Sequence, residues 1–199
     1  MNAILVGLMA MALAVDTGCS ADRQPGPAMT IASPTRSASE HPPTRPRHAR
    51  VVFLAAGEPA RRLRQAERDL KEVSLWNDLT AHLYEVKVAM RPGRSDIPTD
   101  RHLADAYPSA VAAPGGYGNL CDITFYPAAI TADLDRWRRY HSEGVMPEIP
   151  PATLRQYWGS ILAHELAHCL GHGKGEVVAR RWERRALQAL RGLHRRQQT

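Results

Sequence analysis

The pattern of apolar and polar positions predicts an alternation of short strands and amphipathic helices from residue 51 onward. Val51 to Leu54 is an apolar run typical of a buried strand, and His82 to Met90 alternates as a second strand. The segment after Met90 is predicted to be a loop rich in Pro and Gly, and Asp122 to Tyr126 a third strand. Apolar residues at helical spacing predict one helix over Glu58 to Val73 and another over Ala128 to Tyr140.

Two further helices are predicted near the end of the chain. Apolar residues recur at intervals of three and four in both, and we expect Gly171 to end the first and Glu176 to begin the second. The order strand, helix, strand, strand, helix, helix, helix predicts an α+β fold, with the helices packed against one small mixed sheet. The first apolar stripe consists of Leu154, Tyr157, Trp158, Ile161, Leu162, Leu166 and Cys169, and the second of Ala179, Trp182, Ala186, Leu190 and Leu193.

Residues 1–19 are predicted to be an export signal. Met1 to Val15 is almost wholly apolar, too short for a membrane span and suited to the core of a signal peptide, although no Lys or Arg precedes it. The tripeptide ending at Cys19 resembles the end of a bacterial lipobox, in which the cysteine is lipidated and anchors the mature chain to a membrane. Asp16 departs from that pattern. The alternative is a plain secretion signal that is cut nearby.

Residues 20–50 are predicted to be a disordered, flexible tether and residues 51–199 one folded domain. The tether is rich in Pro, Ser, Thr, Arg and Ala, and it buries too little apolar surface to offset the entropy of ordering. A chain of 199 residues is typical of one domain with such an arm. Behind a lipid anchor, the tether would hold the domain away from the membrane.

Basic residues are concentrated late in the chain, which carries a formal net charge of +6 at pH 7. A basic face favours anionic surfaces such as phospholipid, nucleic acid or an acidic substrate. No aromatic residue interleaves with these arginines in a way that indicates base stacking, so a solvated face is favoured over nucleic-acid binding. The arginines are Arg180, Arg181, Arg184, Arg185, Arg191, Arg195 and Arg196.

One motif indicates a specific chemistry. His164, Glu165 and His168 form the pattern H-E-x-x-H in the first of the two closing helices. Residues four apart lie one above the other on a helix, so both imidazoles can bind one ion with Glu165 beside them. A carboxylate so placed can take a proton from a zinc-bound water and leave a hydroxide that attacks a carbonyl. The motif therefore predicts zinc-dependent hydrolysis of a peptide or amide bond. The alternative is a surface helix with two solvated histidines and a glutamate.

This motif resembles that of the zincin metallopeptidases. The resemblance implies that His164 and His168 bind zinc, that Glu165 is the general base, and that the α+β fold is zincin-like, with an active-site helix and a C-terminal helix. In the gluzincin branch the third ligand is a glutamate from a following helix, often with an alanine three residues on. Glu176 and Ala179 match that pattern, although the link between the two helices is shorter than gluzincin links usually are.

The third zinc ligand stays open between Glu176 and His172. A catalytic zinc site uses three protein ligands and leaves one position for water. The metzincin branch has a glycine at the position of Gly171 and its third histidine three residues beyond, where this chain has Lys174. The metzincin branch also has a methionine after the motif, and this chain has none there. His172 would therefore be the third ligand only if the turn were shortened. Glu183, or no third protein ligand, is the remaining alternative.

The resemblance also implies a place for the substrate. In zincins an edge strand above the active-site helix pairs with the extended substrate, and Cys121 to Tyr126, the last strand before that helix, is the candidate. Tyr126, or Tyr140 and His141, is a candidate for steadying the oxyanion. The alternative is that these three are ordinary packing or surface residues.

Two cysteines remain besides Cys19. In an exported protein, Cys121 and Cys169 predict a disulfide between the presumed edge strand and the active-site helix, with a stabilisation of about 2 to 4 kcal/mol. In a cytosolic protein they would be buried free thiols. Cys169 is a poor third zinc ligand because it adjoins His168 and faces away around the helix.

Three classes of function follow from these features. The leading interpretation is a small exported zinc metallopeptidase of the bacterial cell envelope or periplasm, anchored through a lipidated Cys19 or free, that cuts a peptide or protein substrate. The second is a non-catalytic envelope module in which zinc, or the helical hairpin alone, supports a binding surface. The third is a cytosolic protein whose basic last helix binds nucleic acid.

Overall fold

The computed structural model describes residues 49–54, 56–92, 103–113, 116–170 and 175–197. All of them belong to the compact unit Glu40–Thr199. The predicted signal peptide with Cys19, nearly all of the predicted tether, and His172 lie outside the described residues.

The described residues form four strands and five helices, which confirms the predicted α+β class. No helix in these ranges is long and apolar enough to cross a membrane. The elements are β1 (Arg50–Phe53), α1 (Gly57–Glu72), α2 (Leu75–Thr80), β2 (Glu85–Met90), β3 (Ala104–Ala113), β4 (Gly116–Phe125), α3 (Pro127–Ser142), α4 (Leu154–His168) and α5 (Glu176–Arg196).

The four strands form one mixed sheet in the order β1-β2-β4-β3. Strands β1, β2 and β4 are parallel, and β3 pairs with β4 in the antiparallel sense. The predicted edge strand, Cys121 to Tyr126, is therefore wrong, because β4 lies between two neighbours. The two edges of the sheet are β1 and β3, and the sequence pattern assigned the β3 segment to a loop.

Helix α4 is buried along most of its length and contacts α1, α2, α3, α5, β3 and β4. It begins after Thr153, whose side-chain oxygen accepts a hydrogen bond from the N–H of Gln156 at 3.2 Å. Helix α5 packs closely against it, since a Cβ on Gly159 would lie 2.6 Å from Cδ1 of Leu190. Together with the contact between His164 and Glu183, this approach shows that the two helices run antiparallel, so the start of α5 lies beside the end of α4.

The end of α4 is fixed to the sheet. The helix ends at His168 rather than at the expected Gly171, and the N–H of Cys169 closes the last turn on the carbonyl of Leu166 at 3.0 Å. A disulfide joins Cys169 to Cys121 in β4, so the sulfur bridge runs to an interior strand and not to the sheet edge. The His82 ring lies 2.7 Å from the carbonyl oxygen of Cys169. His168 therefore sits directly before an anchored residue.

A buried ion pair joins α1 to α4. Asp69 is 1% exposed, and Oδ2 of Asp69 accepts a hydrogen bond from Nε of Arg155 at 2.6 Å. Burial opposes ionisation of Asp69, but hydrogen bonds from Arg155 and Gln65 outweigh it and hold the pKa of this carboxyl below 3.8. The contribution to stability is therefore fully present above that value and is lost as the pH falls through the lower pKa of the folded state.

Removal of this arginine should destabilise the fold. We expect Arg155→Met to lower the free energy of unfolding at pH 7 by about 3 to 5 kcal/mol, because the buried charge of Asp69 would keep only the amide of Gln65 and the more distant His194 ring as partners. The difference from the unsubstituted protein should shrink in acid. Urea unfolding at pH 7 and at successively lower pH measures both effects. Arg62→Met, which breaks the exposed pair with Glu58, is the control and should cost less than about 1 kcal/mol.

Candidate metal centre

Two histidine rings on α4 converge on one point. Residues 164 and 168 are one helical turn apart, and Nε2 of His164 lies 3.1 Å from Nε2 of His168. Both residues are only partly exposed and line the same cleft. Two nitrogens that bind one tetrahedral zinc ion at about 2.0 to 2.1 Å would lie about 3.3 Å apart. The spacing of the two rings therefore fits a shared ion.

The first residue of α5 completes this cluster. Glu176 presents one carboxylate oxygen 3.6 Å from Nε2 of His164 and the other 3.6 Å from Nε2 of His168. Ligand atoms of the three residues all lie within 4.8 Å of one another, an arrangement that can hold a metal ion. Glu176 is also exposed and paired with Arg180 at 3.3 Å, so its carboxylate is reachable from solvent. Two imidazoles and a carboxylate are a donor set typical of catalytic zinc.

The outer nitrogen of His164 has its own acceptor. Nδ1 of His164 lies 3.0 Å from Oε2 of Glu183, which stands two helical turns after Glu176 on α5. Burial alone would lower the pKa of His164, but the hydrogen bond and negative charge of Glu183 raise it above its usual value. An Nδ1–H that donates to Glu183 leaves the lone pair of Nε2 directed at the cluster.

Glu165 is nearly enclosed beside the cluster. The residue is 6% exposed, as expected for a carboxylate placed within the apolar stripe of α4. Burial raises the pKa of Glu165 to about 7; the positive charge of His164 opposes the rise, and the negative charge of Asp105 adds to it. The charge of Asp105 acts on Glu165 because β3 contacts α4 here.

The cluster opens into a cleft of about 820 Å³ between β3, α3, α4 and α5. Residues 103–107 of the edge strand region form one wall, and α3 contributes Tyr140. Tyr107 is 57% exposed at the rim. The edge strand that borders the cleft is thus β3, and not Cys121 to Tyr126 as expected.

The other candidate side chains have separate partners. The hydroxyl of Tyr126 donates to Oδ2 of Asp105 at 2.7 Å, and Nδ1 of His141 lies 3.0 Å from the carbonyl of Met146. Tyr140 is the only one of the three oxyanion candidates among the residues that line the cleft. Cys169 is disulfide-bonded. Sequence reasoning named Glu183 as a rival third ligand, but in the structure its carboxylate contacts Nδ1 of His164, the ring nitrogen that faces away from the cluster.

Comparisons with protein-family models, with curated proteins and with solved structures found no match for this chain.

Proposed function

We propose that the chain is a zinc-dependent metallopeptidase. One observation carries the proposal: two histidines and a glutamate from different helices present their ligand atoms to one point, and a buried carboxylate lies next to them in an open cleft. Structural zinc sites are closed by four protein ligands, whereas catalytic sites keep one position for water. Within the described residues this cluster offers three.

His164, His168 and Glu176 would hold the metal. Zinc bound there would acidify a water molecule and polarise the carbonyl oxygen of a peptide bond. Glu165 accepts the proton of the attacking water and later donates it to the leaving amine. Glu183 keeps the ring of His164 in the tautomer that binds metal.

The substrate main chain would lie along β3. This strand is the sheet edge that borders the cleft, and edge strands bind extended peptides through free backbone groups. The proposal thus keeps the edge-strand role implied by the zincin resemblance and assigns it to a different strand. Export through the signal in residues 1–19, with lipidation of Cys19 as the anchored form, is part of the same proposal.

Metal removal and readdition test this function directly. We expect dialysis against a chelator to abolish cleavage of a quenched-fluorescent peptide library, and one equivalent of zinc per chain to restore it. Zinc content by atomic absorption and cleavage by fluorescence measure the two steps. Stoichiometric zinc without cleavage would favour a non-catalytic zinc module, and failure to hold stoichiometric zinc at neutral pH would reject the metal centre.

Glu183 offers a graded test of how His164 is held. We expect Glu183→Ala to weaken zinc binding by about 10- to 100-fold, because partners that orient a ligand typically contribute that much. Glu183→Gln should recover part of the loss, since its amide oxygen can still accept from Nδ1 of His164. Competition with a chelator of known zinc affinity measures both variants. Equal losses for Ala and Gln would contradict the orienting role.

A further inference from the structure

The alternation of backbone hydrogen bonds shows which residues of β3 direct their N–H and C=O groups toward the free edge of the sheet. The N–H of Tyr126 donates to the carbonyl of Leu103 at 3.0 Å, so Leu103 directs its backbone groups toward the β4 side. The pairing of β3 with β4 then runs without a bulge from Ala104 to Ala113. In an antiparallel pair every second residue bonds across, so the even-numbered residues of β3 direct their backbone groups away from β4.

Backbone hydrogen bonds on the β2 side of β4 lead to the same assignment of outward-facing residues in β3. The carbonyl of Phe125 accepts from the N–H of Arg91 at 3.0 Å, on the β2 side, and Phe125 is the partner of Ala104. The carbonyl of Asn119, opposite Ala110, likewise accepts from a backbone N–H on that side. Ala104 and Ala110 therefore face the free edge.

Pro108 interrupts this outward row. Each even-numbered position has an outward carbonyl, but proline has no N–H, so the donor is missing at one place. Among the residues that the structure describes, no strand pairs with this side of β3. The outward row is Ala104, Ala106, Pro108, Ala110 and Ala112.

Only one end of this outward row borders the cleft that contains His164, His168 and Glu176. Residues 103–107 line the cleft, whereas Ala110 and Ala112 are exposed farther along the hairpin and do not. Pro108 thus stands at the boundary between the part of the edge inside the cleft and the part outside it.

We propose that Pro108 limits backbone pairing with substrate to Ala104 and Ala106; this inference rests on the proposed peptidase function. A peptide that extends along β3 beyond the cleft meets Pro108, which has no N–H. The peptide carbonyl opposite Pro108 therefore gains no hydrogen bond. Two outward residues span about three residues of extended peptide, since a strand rises about 3.3 Å per residue. The cleft therefore recognises short peptides and flexible tails through a brief backbone contact.

A nested series of quenched-fluorescent peptides tests this limit. The peptides share the residues around the scissile bond of the best-cleaved library member and grow by one residue at a time on either side. With the zinc-loaded protein, KM should fall over the first few residues and then level off. With Pro108→Val, KM for the longer peptides should fall a further 2- to 10-fold, about the effect of one net hydrogen bond, with kcat unchanged.

A matched pair of proline variants locates the contact. Ala106→Pro removes an outward donor inside the cleft and should raise KM about 2- to 10-fold, whereas Ala112→Pro removes one outside it and should leave KM unchanged. Both substitutions spare the bonds to β4. Because Ala106 packs against the core and Ala112 is exposed, urea unfolding of both variants separates a cost to the fold from loss of the peptide contact. An equal effect of the two variants, or no gain from Pro108→Val, would overturn the inference while leaving the peptidase function intact.

Amide hydrogen exchange separates this failure from failure of the function itself. If zinc-loaded protein cuts no library peptide, capped Thr-Val repeats of the same lengths serve as binding probes. Peptide-induced protection of the Ala104 and Ala106 amides, without protection at Ala110 and Ala112, supports the limit. Protection across all four amides, or at none, overturns it.

Discussion

Glu165→Gln is expected to abolish peptide cleavage while leaving zinc bound. Glutamine has nearly the same shape as glutamate but cannot accept the proton of the attacking water, and general base catalysis typically contributes about 100- to 10,000-fold. We therefore expect kcat to fall by about 100- to 10,000-fold. Since Glu165 is 6% exposed and its ionised form is disfavoured by burial, the neutral amide should not harm the fold.

Three measurements make this expectation decisive. Peptide cleavage gives kcat, atomic absorption gives zinc per chain, and urea unfolding gives the stability of the variant. The control is Glu143→Gln, the same change at an exposed residue outside the cleft, which should keep full activity. Turnover above a tenth of the unsubstituted rate with zinc in place would reject Glu165 as the base.

The longer helices of this protein could be predicted from the sequence because their apolar residues recur at helical spacing. The predicted helices over Glu58 to Val73 and Ala128 to Tyr140 correspond to α1 and α3 within a few residues. Helix α5 begins at the expected Glu176. Helix α2 was missed, since its six residues are too few for a period to emerge. The predicted strand over His82 to Met90 begins only at Glu85, because the preceding residues form a turn.

The edge strand was missed for a different physical reason. Segment β3 consists largely of alanines around Pro108, a composition without the β-branched and aromatic alternation that marks a strand. Its conformation comes from pairing with β4 along its whole length, a long-range contact that local pattern does not encode. Because the β3 segment was assigned to a loop, the strand Cys121 to Tyr126 was taken as the edge strand.

The candidate site was partly predictable because its two histidines share one helix. Their four-residue spacing fixes their common direction whatever the rest of the fold does. The position of Glu176 depends instead on how α5 packs against α4 along the whole helix pair, from Gly159 with Leu190 to His164 with Glu183. The sequence therefore left the third ligand open, and the role of Glu183 behind His164 became visible only once both helices were placed.

The assignment of the third ligand yields the second large effect. We expect Glu176→Gln to weaken zinc binding by at least about 100-fold, more than loss of the orienting Glu183, because a ligand bond is lost rather than its support. His172→Ala, at the rival position, should leave the affinity almost unchanged. Chelator competition measures both variants at the same pH.

The two variants also separate the two branches of the zincin interpretation. A loss on Glu176→Gln with His172→Ala unaffected fits a gluzincin-like site, in which the start of α5 closes the coordination of the α4 histidines. The opposite pattern would move the third ligand to His172 and make the 3.6 Å approach of Glu176 to both rings an ion pair without metal. Equal, moderate losses would mean that neither residue alone completes the site, and three-ligand coordination by His164, His168 and Glu176 would be rejected.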